Sequence, residues 1–268
     1  MNPGDALEVA QREFLTVLRT PMLLALGAGY VALVTGIAWL TVADAYVALT
    51  LDLLTPVEVL VPVLAFAFGY RAILGDRESG ELETLRTYPV SRLDYVGGVY
   101  IGRAVAVLAV VLSGLAASAA LVPLSSGREL SFTASHATVD SPALYLRFVL
   151  LAAVFALVAL AVAVLVSAAA RSSRGGLALA VGAVIALVIG LDSAFATALT
   201  GGLLSGDSLT ALLALSPNSA FRSLVFGLSV APTGASVPAG PGTAVALVGL
   251  VGWWLLALGV SIVTVWRT

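Results

Sequence analysis

The segment from residue 75 to residue 103, GDRESGELETLRTYPVSRLDYVGGVYIGR, lies between two long apolar runs. It contains nine of the 28 charged residues of the chain, which has 13 arginines, no lysine and 15 acidic residues. Apolar runs of about 20 residues are typical of membrane-spanning helices, and a charged segment between two of them is typical of a loop in water. This segment therefore marks where two neighbouring spans leave the membrane on the same side.

The composition excludes a soluble protein. Of the 268 residues, 60% are hydrophobic and 10% are charged, whereas a soluble domain has about 25% charged residues. The absence of cysteine excludes disulfides and thiolate metal sites. Because there is no lysine, the chain has no G-x-x-x-x-G-K-[ST] loop for binding ATP phosphates. We predict an all-α polytopic membrane protein that is not an enzyme and binds no metal or cofactor.

Six apolar runs predict six transmembrane helices in one domain over residues 1–268. If the N-terminus is inside, ten arginines lie on inner segments and three (Arg128, Arg147 and Arg222) lie on the outer side. This ratio follows the positive-inside rule, so we predict a multi-pass protein of the cell membrane with both termini in the cytoplasm. The predicted spans cover residues of about 22–43, 57–75, 95–122, 143–168, 175–199 and 243–266.

Residues 5–20 precede the first span and have the pattern of an amphipathic helix. We predict that this helix lies in the inner membrane interface. The alternative is a solvated N-terminal arm. The residues expected on its apolar side are Leu7, Ala10, Phe14, Val17 and Leu18.

The first half of the charged segment predicts a bend and a short helix. The helix of the second span can continue through residues 76–78, and Gly80 favours a bend or a restart because glycine weakens a helix. A short helix is expected over residues 81–87, and Pro89 ends it.

The second half of the segment predicts the start of the third span. Residues 91–94, Ser-Arg-Leu-Asp, form an S-x-x-D capping box. Because no helix breaker follows before Pro123, the helix is longer than the bilayer is thick, and its first turns stand in the cytoplasm. Arg103 is expected at the inner headgroups, where its side chain can snorkel. Gly98 and Gly102 form a small-xxx-small pair that permits close contact with another helix.

Residues 76–94 are thus held between two helices that enter the membrane, and a push on them would tilt both spans. Mixed charges beside a small apolar side, formed by Leu82 and Leu85, suit a reversible contact with another protein. An ordinary solvated loop with surface ion pairs explains the same residues equally well.

The predicted outer loops are residues 44–56 and 123–142. The second contains His136, the only histidine of the chain. A metal site needs several convergent ligands, and none lies near it in the sequence, so we interpret His136 as a solvated side chain.

The outer segment 200–242 contains two apolar stretches, 209–215 and 220–228, that are too short to span a membrane. Stretches of this length predict re-entrant or interfacial helices. Ser216 or Ser219 can cap the second helix. The candidate residues of an outer gate are Ser216, Pro217, Asn218 and, in the first turn of the second helix, Arg222.

Three groups of residues in the charged segment form a pattern: Arg77-Glu78-x-Gly80-x-Leu82-Glu83-x-Leu85, then Pro89-Val90-Ser91-Arg92, then Gly98 with Gly102-Arg103. This pattern resembles the first cytoplasmic loop of ABC-2 type permeases, most closely the NosY-like subgroup of nitrous-oxide-reductase maturation permeases. Glu81 stands where that pattern usually has threonine.

The resemblance implies a half-transporter. Two permease chains, expected as a homodimer, would work with two separate ABC ATPase subunits that bind ATP and Mg²⁺ and drive a cargo across the bilayer, usually outward. No feature predicts binding to nucleic acid. Residues 76–94 would then face the ATPase, and the candidate coupling residues are Asp76, Arg77, Glu78, Gly80, Leu82, Glu83, Leu85, Arg86, Pro89, Ser91 and Arg92.

Arg147 and Asp192 lie inside the fourth and fifth predicted spans, towards their outer ends. Charges in spans are costly unless they are paired or hydrated. One interpretation is an ion pair between Arg147 and Asp192, or snorkelling of each towards the surface. The other is that Asp192 lines the translocation path.

Two other functions remain open at this point. A secondary transporter would have internal repeats and charges at the membrane midplane, and the sequence shows no convincing repeat and predicts no midplane charge. A membrane anchor that holds a cytoplasmic partner without transporting anything fits the charged segment as well.

Overall fold

The computed structural model describes residues 3–41, 45–85, 87, 90–125, 140–200, 213–238 and 240–266. This part of the chain is all-α and contains no strand. Its helices are α1 (Pro3–Leu18), α2 (Pro21–Thr41), α3 (Tyr46–Gly69), α4 (Leu74–Glu78), α5 (Glu81–Leu85), α6 (Arg92–Ala119), α7 (Val122–Ser125), α8 (Pro142–Ala169), α9 (Ser173–Ile185), α10 (Leu191–Thr200), α11 (Pro217–Val225) and α12 (Thr243–Thr264).

Six helical stretches of the described chain are long and apolar enough to cross a membrane, which confirms the predicted fold class. They contain α2, α3, α6, α8, the α9–α10 stretch and α12. Between α9 and α10 the helix continues through a π-helical turn, Ala186–Gly190. Such turns widen the backbone hydrogen-bond pattern by one residue without ending a helix.

The predicted start of the second span at residue 57 is wrong, and so is the expected outer loop 44–56. Helix α3 begins at Tyr46 and includes Pro56 in its interior. The free backbone N–H groups of its first turn donate to the carboxylate of Asp140, from Tyr46 at 2.9 Å and from Val47 at 3.0 Å. A carboxylate at this position satisfies N–H groups that have no partner in the helix. The cap lies more than 90 residues away in the sequence, so no local pattern could indicate it.

Helix α8 is the centre of the packing and contacts α3, α6, α11 and α12. Its small residues allow close approach: a Cβ added to Gly69 of α3 would lie 2.7 Å from the Cβ of Ala163. In the middle of α8, the ring of Phe155 stacks on Phe221 of α11, with centroids 4.6 Å apart. The short helix α11 is therefore packed against the spans.

Helix α1 packs along the N-terminal half of α6. The predicted close contact at Gly98 and Gly102 is confirmed, since a Cβ on Gly102 would lie 2.4 Å from the carbonyl oxygen of Ala10. Of the residues expected on the apolar side of α1, Ala10 and Val17 are buried against the protein, whereas Leu7 and Leu18 are exposed on its surface. The residues of α1 that are buried are Ala6, Ala10, Glu13 and Val17.

We expect Gly102→Ala to destabilise the protein by about 1–3 kcal/mol, because the added methyl group forces α1 away from α6. Gly97→Ala is the matched control. Its Cβ would meet no atom within 4 Å, so the higher helix propensity of alanine should leave stability unchanged or slightly raised. Thermal unfolding of both purified variants in detergent measures the difference. Equal unfolding temperatures would contradict the close α1–α6 contact.

Candidate functional site

The charged segment folds as two short helices joined by a sharp bend. Gly80 has a φ of +76° between α4 and α5, a conformation that residues with a side chain rarely adopt. The predicted bend at Gly80 and the short helix after it are confirmed, although α5 ends at Leu85. Arg86 and Pro89 lie outside the described residues.

The predicted serine cap at the start of α6 is also confirmed. The Ser91 hydroxyl accepts a hydrogen bond from the backbone N–H of Asp94 at 3.1 Å. It also donates to the Asp94 carboxylate at 2.6 Å. This cap sets where α6 leaves the segment.

The inner side of the segment is attached to α1 and α6 through Asp76. Its carboxylate accepts hydrogen bonds from Arg12 Nη2 at 2.6 Å and from Tyr95 Oη at 2.7 Å. Arg12 also pairs with Glu13 and with Glu81 of α5. Burial by itself lowers the pKa of Arg12, but the charges of Asp76, Glu13 and Glu81 outweigh it and hold that pKa above its ordinary value. Arg12 therefore remains a permanent cation at this junction.

A second ion pair lies deeper at the same junction. Arg103 Nη2 lies 2.8 Å from Glu13 Oε2, and Arg103 Nη1 donates to the carbonyl of Phe68 at 2.8 Å. The Glu13 side chain is 3% exposed. The prediction that Arg103 snorkels to the headgroups is therefore wrong, because an acid from α1 gives it a partner inside the protein.

Arg77 binds the segment to the C-terminal ends of two spans. Its guanidinium donates to the carbonyls of Ala168 and Ala170 at the end of α8, and to Val265 just after α12. The last carbonyls of a helix have no partner within it, so one arginine here satisfies groups from two helices. The hydroxyl of Ser167 in α8 accepts from the backbone N–H groups of residues 73 and 74.

Glu78 extends these contacts to the start of α9, where its carboxylate accepts from Ser173 at 2.6 Å and from Arg71 at 3.1 Å. The other side of the segment is exposed on the surface of the protein. Among the predicted coupling residues, Leu82 is buried and Leu85 is half-buried. Those that are exposed on the described segment include Gly80, Glu83, Ser91 and Arg92.

On the opposite side of the molecule, Ser216 caps α11, and its hydroxyl accepts from the backbone N–H of Ser219 at 3.3 Å. This confirms one of the two predicted caps. Pro217 occupies the first helical turn, as expected where an N–H needs no partner. Arg222 lies in the second turn of α11 and not in the first.

Arg222 forms an ion pair that the sequence reasoning missed. Its Nε lies 2.6 Å from Glu58 Oε1, and its Nη2 binds Glu58 Oε2, so the contact is bidentate. Glu58 is 2% exposed. The expected start of the second span at residue 57 places Glu58 at a membrane surface. The start of α3 at Tyr46 places it in the middle of a helix instead.

Arg147 and Asp192 do not pair with each other in the described structure. Arg147 donates to the carbonyl of Leu228 at 2.9 Å. Asp192 accepts from the Ser219 hydroxyl at 2.8 Å, and the Asn218 amide donates to the carbonyl of Val188 at 3.3 Å. The ion-pair interpretation of these two residues is therefore wrong, and both instead attach to α11 or to the turn after it.

Comparisons with known proteins agree with this architecture. The family model described as ABC-2 family transporter protein matches residues 33–267. The chain belongs to the ABC-2 transporter family. It is 30% identical over 224 residues to a probable ABC transporter permease protein NosY of Stutzerimonas stutzeri, covering 80% of this chain and 78% of the relative. It is 31% identical over 242 residues to the protein of the same name from Pseudomonas aeruginosa, covering 86% and 85%.

The chain is thus a NosY-like ABC-2 permease, a multi-pass membrane subunit whose family implies an ABC ATPase partner. In this ABC-2 permease the predicted coupling residues separate into two sets. Asp76, Arg77 and Glu78 hold the segment to the ends of the spans. Glu83 and Arg92 are exposed on its surface.

We expect Arg77→Gln to destabilise the permease by about 2–4 kcal/mol, because glutamine leaves carbonyls at the ends of α8 and α12 without a donor. Arg71→Gln is the control. Its side chain is 52% exposed and pairs with a partly exposed Glu78, so its loss should cost less than about 1 kcal/mol. Chemical or thermal unfolding of the two variants measures the difference, and equal losses would show that Arg77 is an ordinary surface arginine.

Proposed function

We propose that this permease is the membrane-spanning subunit of an ATP-driven exporter, and that residues 76–94 transmit the movement of a separate ATPase. The observation that carries this proposal is that one short segment is attached to several spans at once and is exposed on its other side. Both termini would lie in the cytoplasm, and two copies of the chain would assemble with two ATPase subunits that hold ATP and Mg²⁺.

The geometry suits transmission because the segment is fixed and does not hang as a free loop. Asp76 is bound to α1 and α6, Arg77 to the ends of α8 and α12, and Glu78 to the start of α9. The segment also continues directly from α3. A displacement of the segment would therefore displace the inner ends of most spans together.

The surface of the segment has the chemistry of a reversible protein contact. Glu81, Glu83 and Arg92 are exposed, and Leu93 adds an apolar side chain that is 44% exposed. Charges around a small apolar patch set register and association rate. An ATPase groove of complementary charge would fit this surface.

At the outer side, we propose that α11 and the turn that follows it form the gate. This assignment uses Ser216, Pro217, Asn218 and Arg222 as predicted, and it adds the contacts of α11 with three spans. Movement of these spans at their inner ends would change the same contacts at their outer ends.

The family match favours this function over a secondary transporter. One argument against the secondary transporter was nevertheless wrong, since Glu58 lies 12 residues from one end of α3 and 11 from the other. At about 1.5 Å per residue this is mid-depth in the helix, and the structure thus does hold a charge there. Proton-dependent uptake without any ATPase would support the secondary transporter and overturn our proposal.

We expect the charge reversals Glu83→Arg and Arg92→Glu to weaken the effect of the permease on its ATPase on the order of tenfold, because they invert charges at the proposed contact. The permease is co-purified with the product of the adjacent reading frame, the expected ABC ATPase, and reconstituted in liposomes, where ATP hydrolysis is compared with that of the ATPase alone.

The matched control is Glu8→Arg, a reversal of an exposed acid on α1 that lies outside the segment. It should leave the ATPase rate close to that of the wild type. If all three variants behave alike, or if no ATPase co-purifies with the wild type, residues 76–94 are not the coupling segment.

A further inference from the structure

Glu58 is a charged side chain in the middle of a membrane-spanning helix, and it is almost completely buried. It is 2% exposed and lies about 17 Å from each end of α3, at 1.5 Å per residue. Ionisable residues at this depth are costly and are usually associated with the path of an ion or a substrate. The family assignment and the coupling segment give no role to this residue.

The partner of Glu58 comes from an element that does not span the membrane. Arg222 belongs to α11, a helix of nine residues, and binds both carboxylate oxygens of Glu58. A bidentate contact is the arrangement in which a planar guanidinium fits a carboxylate best. Glu58 is therefore a built binding site for a planar cation, and in this conformation a tethered cation fills it.

The two partners differ greatly in burial. The side chain of Arg222 is 46% exposed, whereas that of Glu58 is 2% exposed. A half-exposed guanidinium at the depth of Glu58 is compatible with a polar cavity or a protein contact, but not with lipid. The charge of Asp192 in α10 also acts on the Arg222 guanidinium, so a second carboxylate lies within electrostatic reach of it.

The other polar contacts of α11 and of the turn after it are single hydrogen bonds. They run from Ser219 to Asp192, from Asn218 to a carbonyl of the π-helical turn, from Ser223 to the carbonyl of Pro241, and from Arg147 to Leu228. The Glu58 pair is different, because removing one partner of a buried ion pair leaves an uncompensated charge. If Arg222 moves away, Glu58 must bind a proton or another positive charge.

Buried polar atoms without a partner lie on the same outer segment. The side-chain oxygens of Asn218 and Ser229 are buried, and among the described residues neither has a hydrogen-bond partner. Native proteins leave few such atoms unsatisfied. These oxygens can accept hydrogen bonds from a bound ligand or from water. Both residues are close to Arg222 in the sequence.

We propose that Glu58 is an intramembrane cation site, which Arg222 occupies when the outer gate is closed and which a guanidinium or ammonium group of the cargo occupies when α11 moves. The inference rests on the proposed function, since it names the chemical class of the transported molecule. When the gate is closed, Arg222 therefore occupies the position of the cargo's cation and neutralises the Glu58 carboxylate.

The test is whether a free guanidinium ion binds when the tethered one is removed. The complex of permease and ATPase carrying Arg222→Ala is purified in nanodiscs, and equilibrium binding of radiolabelled guanidinium is measured against equal concentrations of sodium chloride. We expect saturable binding of about one ion per permease chain in this variant, and at least tenfold weaker binding in the wild type, where Arg222 fills the site.

Two variants make the test specific. Glu58→Gln combined with Arg222→Ala removes the carboxylate and should abolish saturable binding. Arg147→Ala removes another outer arginine that contacts a carbonyl and has no carboxylate partner in the described structure, so it should create no site. Equal binding in all three variants, or none in a folded Arg222→Ala protein, would overturn the proposal.

Arg222→Gln, which keeps a polar side chain without the charge, serves as the second variant if Arg222→Ala does not fold. Recovery of either folded variant only when guanidinium is present during purification supports the proposal, and recovery in neither condition counts against it. The assay requires neither transport nor ATP hydrolysis. A negative result here therefore leaves the ATPase assay of the charge-reversed variants unaffected, and the failures of the two proposals can be told apart.

Discussion

The structure depends on one constraint: a charge inside an apolar bundle must have a partner. The chain has few charges, and two buried ion pairs join helices that are distant in sequence. Glu13 pairs with Arg103, and Glu58 pairs with Arg222. A broken buried pair costs more than a broken surface pair. These contacts consequently hold α1 to α6 on one side of the bundle and α11 to α3 on the other, whereas the spans between them pack through small and apolar residues.

Features governed by neighbouring residues could be predicted from the sequence. The bend at Gly80 follows from a backbone conformation that favours glycine, and the start of α6 follows from the Ser91 cap. The close contact at Gly102 follows from a glycine spacing. In each case the residues that form the pattern lie within one or two helical turns of the feature that they predict. The partner can be any helix or backbone group.

Features that need a particular distant partner could not be predicted. The partners of Arg103, Tyr46 and Glu58 lie 90, 94 and 164 residues away in the sequence. Because no local pattern indicates the Asp140 cap, the sequence predicts a loop over 44–56 and places Glu58 beside the start of the second span and not in the middle of a helix. The acid was visible in the sequence as a lone charge in an apolar run, and that signal could have identified it.

Helix α3 connects the inner and outer sites and has a weak point between them. Pro62 lies in its interior and has no N–H to donate to the carbonyl four residues earlier, which belongs to Glu58. A helix bends most easily where this hydrogen bond is missing. The inner end of α3 leads into the segment held by Asp76 and Arg77, so a displacement there reaches the proline before it reaches Tyr46. The bend would then turn the backbone at the residue that binds Arg222. The same helix therefore joins the proposed coupling segment to the proposed cation site, and one of its two interior prolines lies one turn from the residue that binds Arg222.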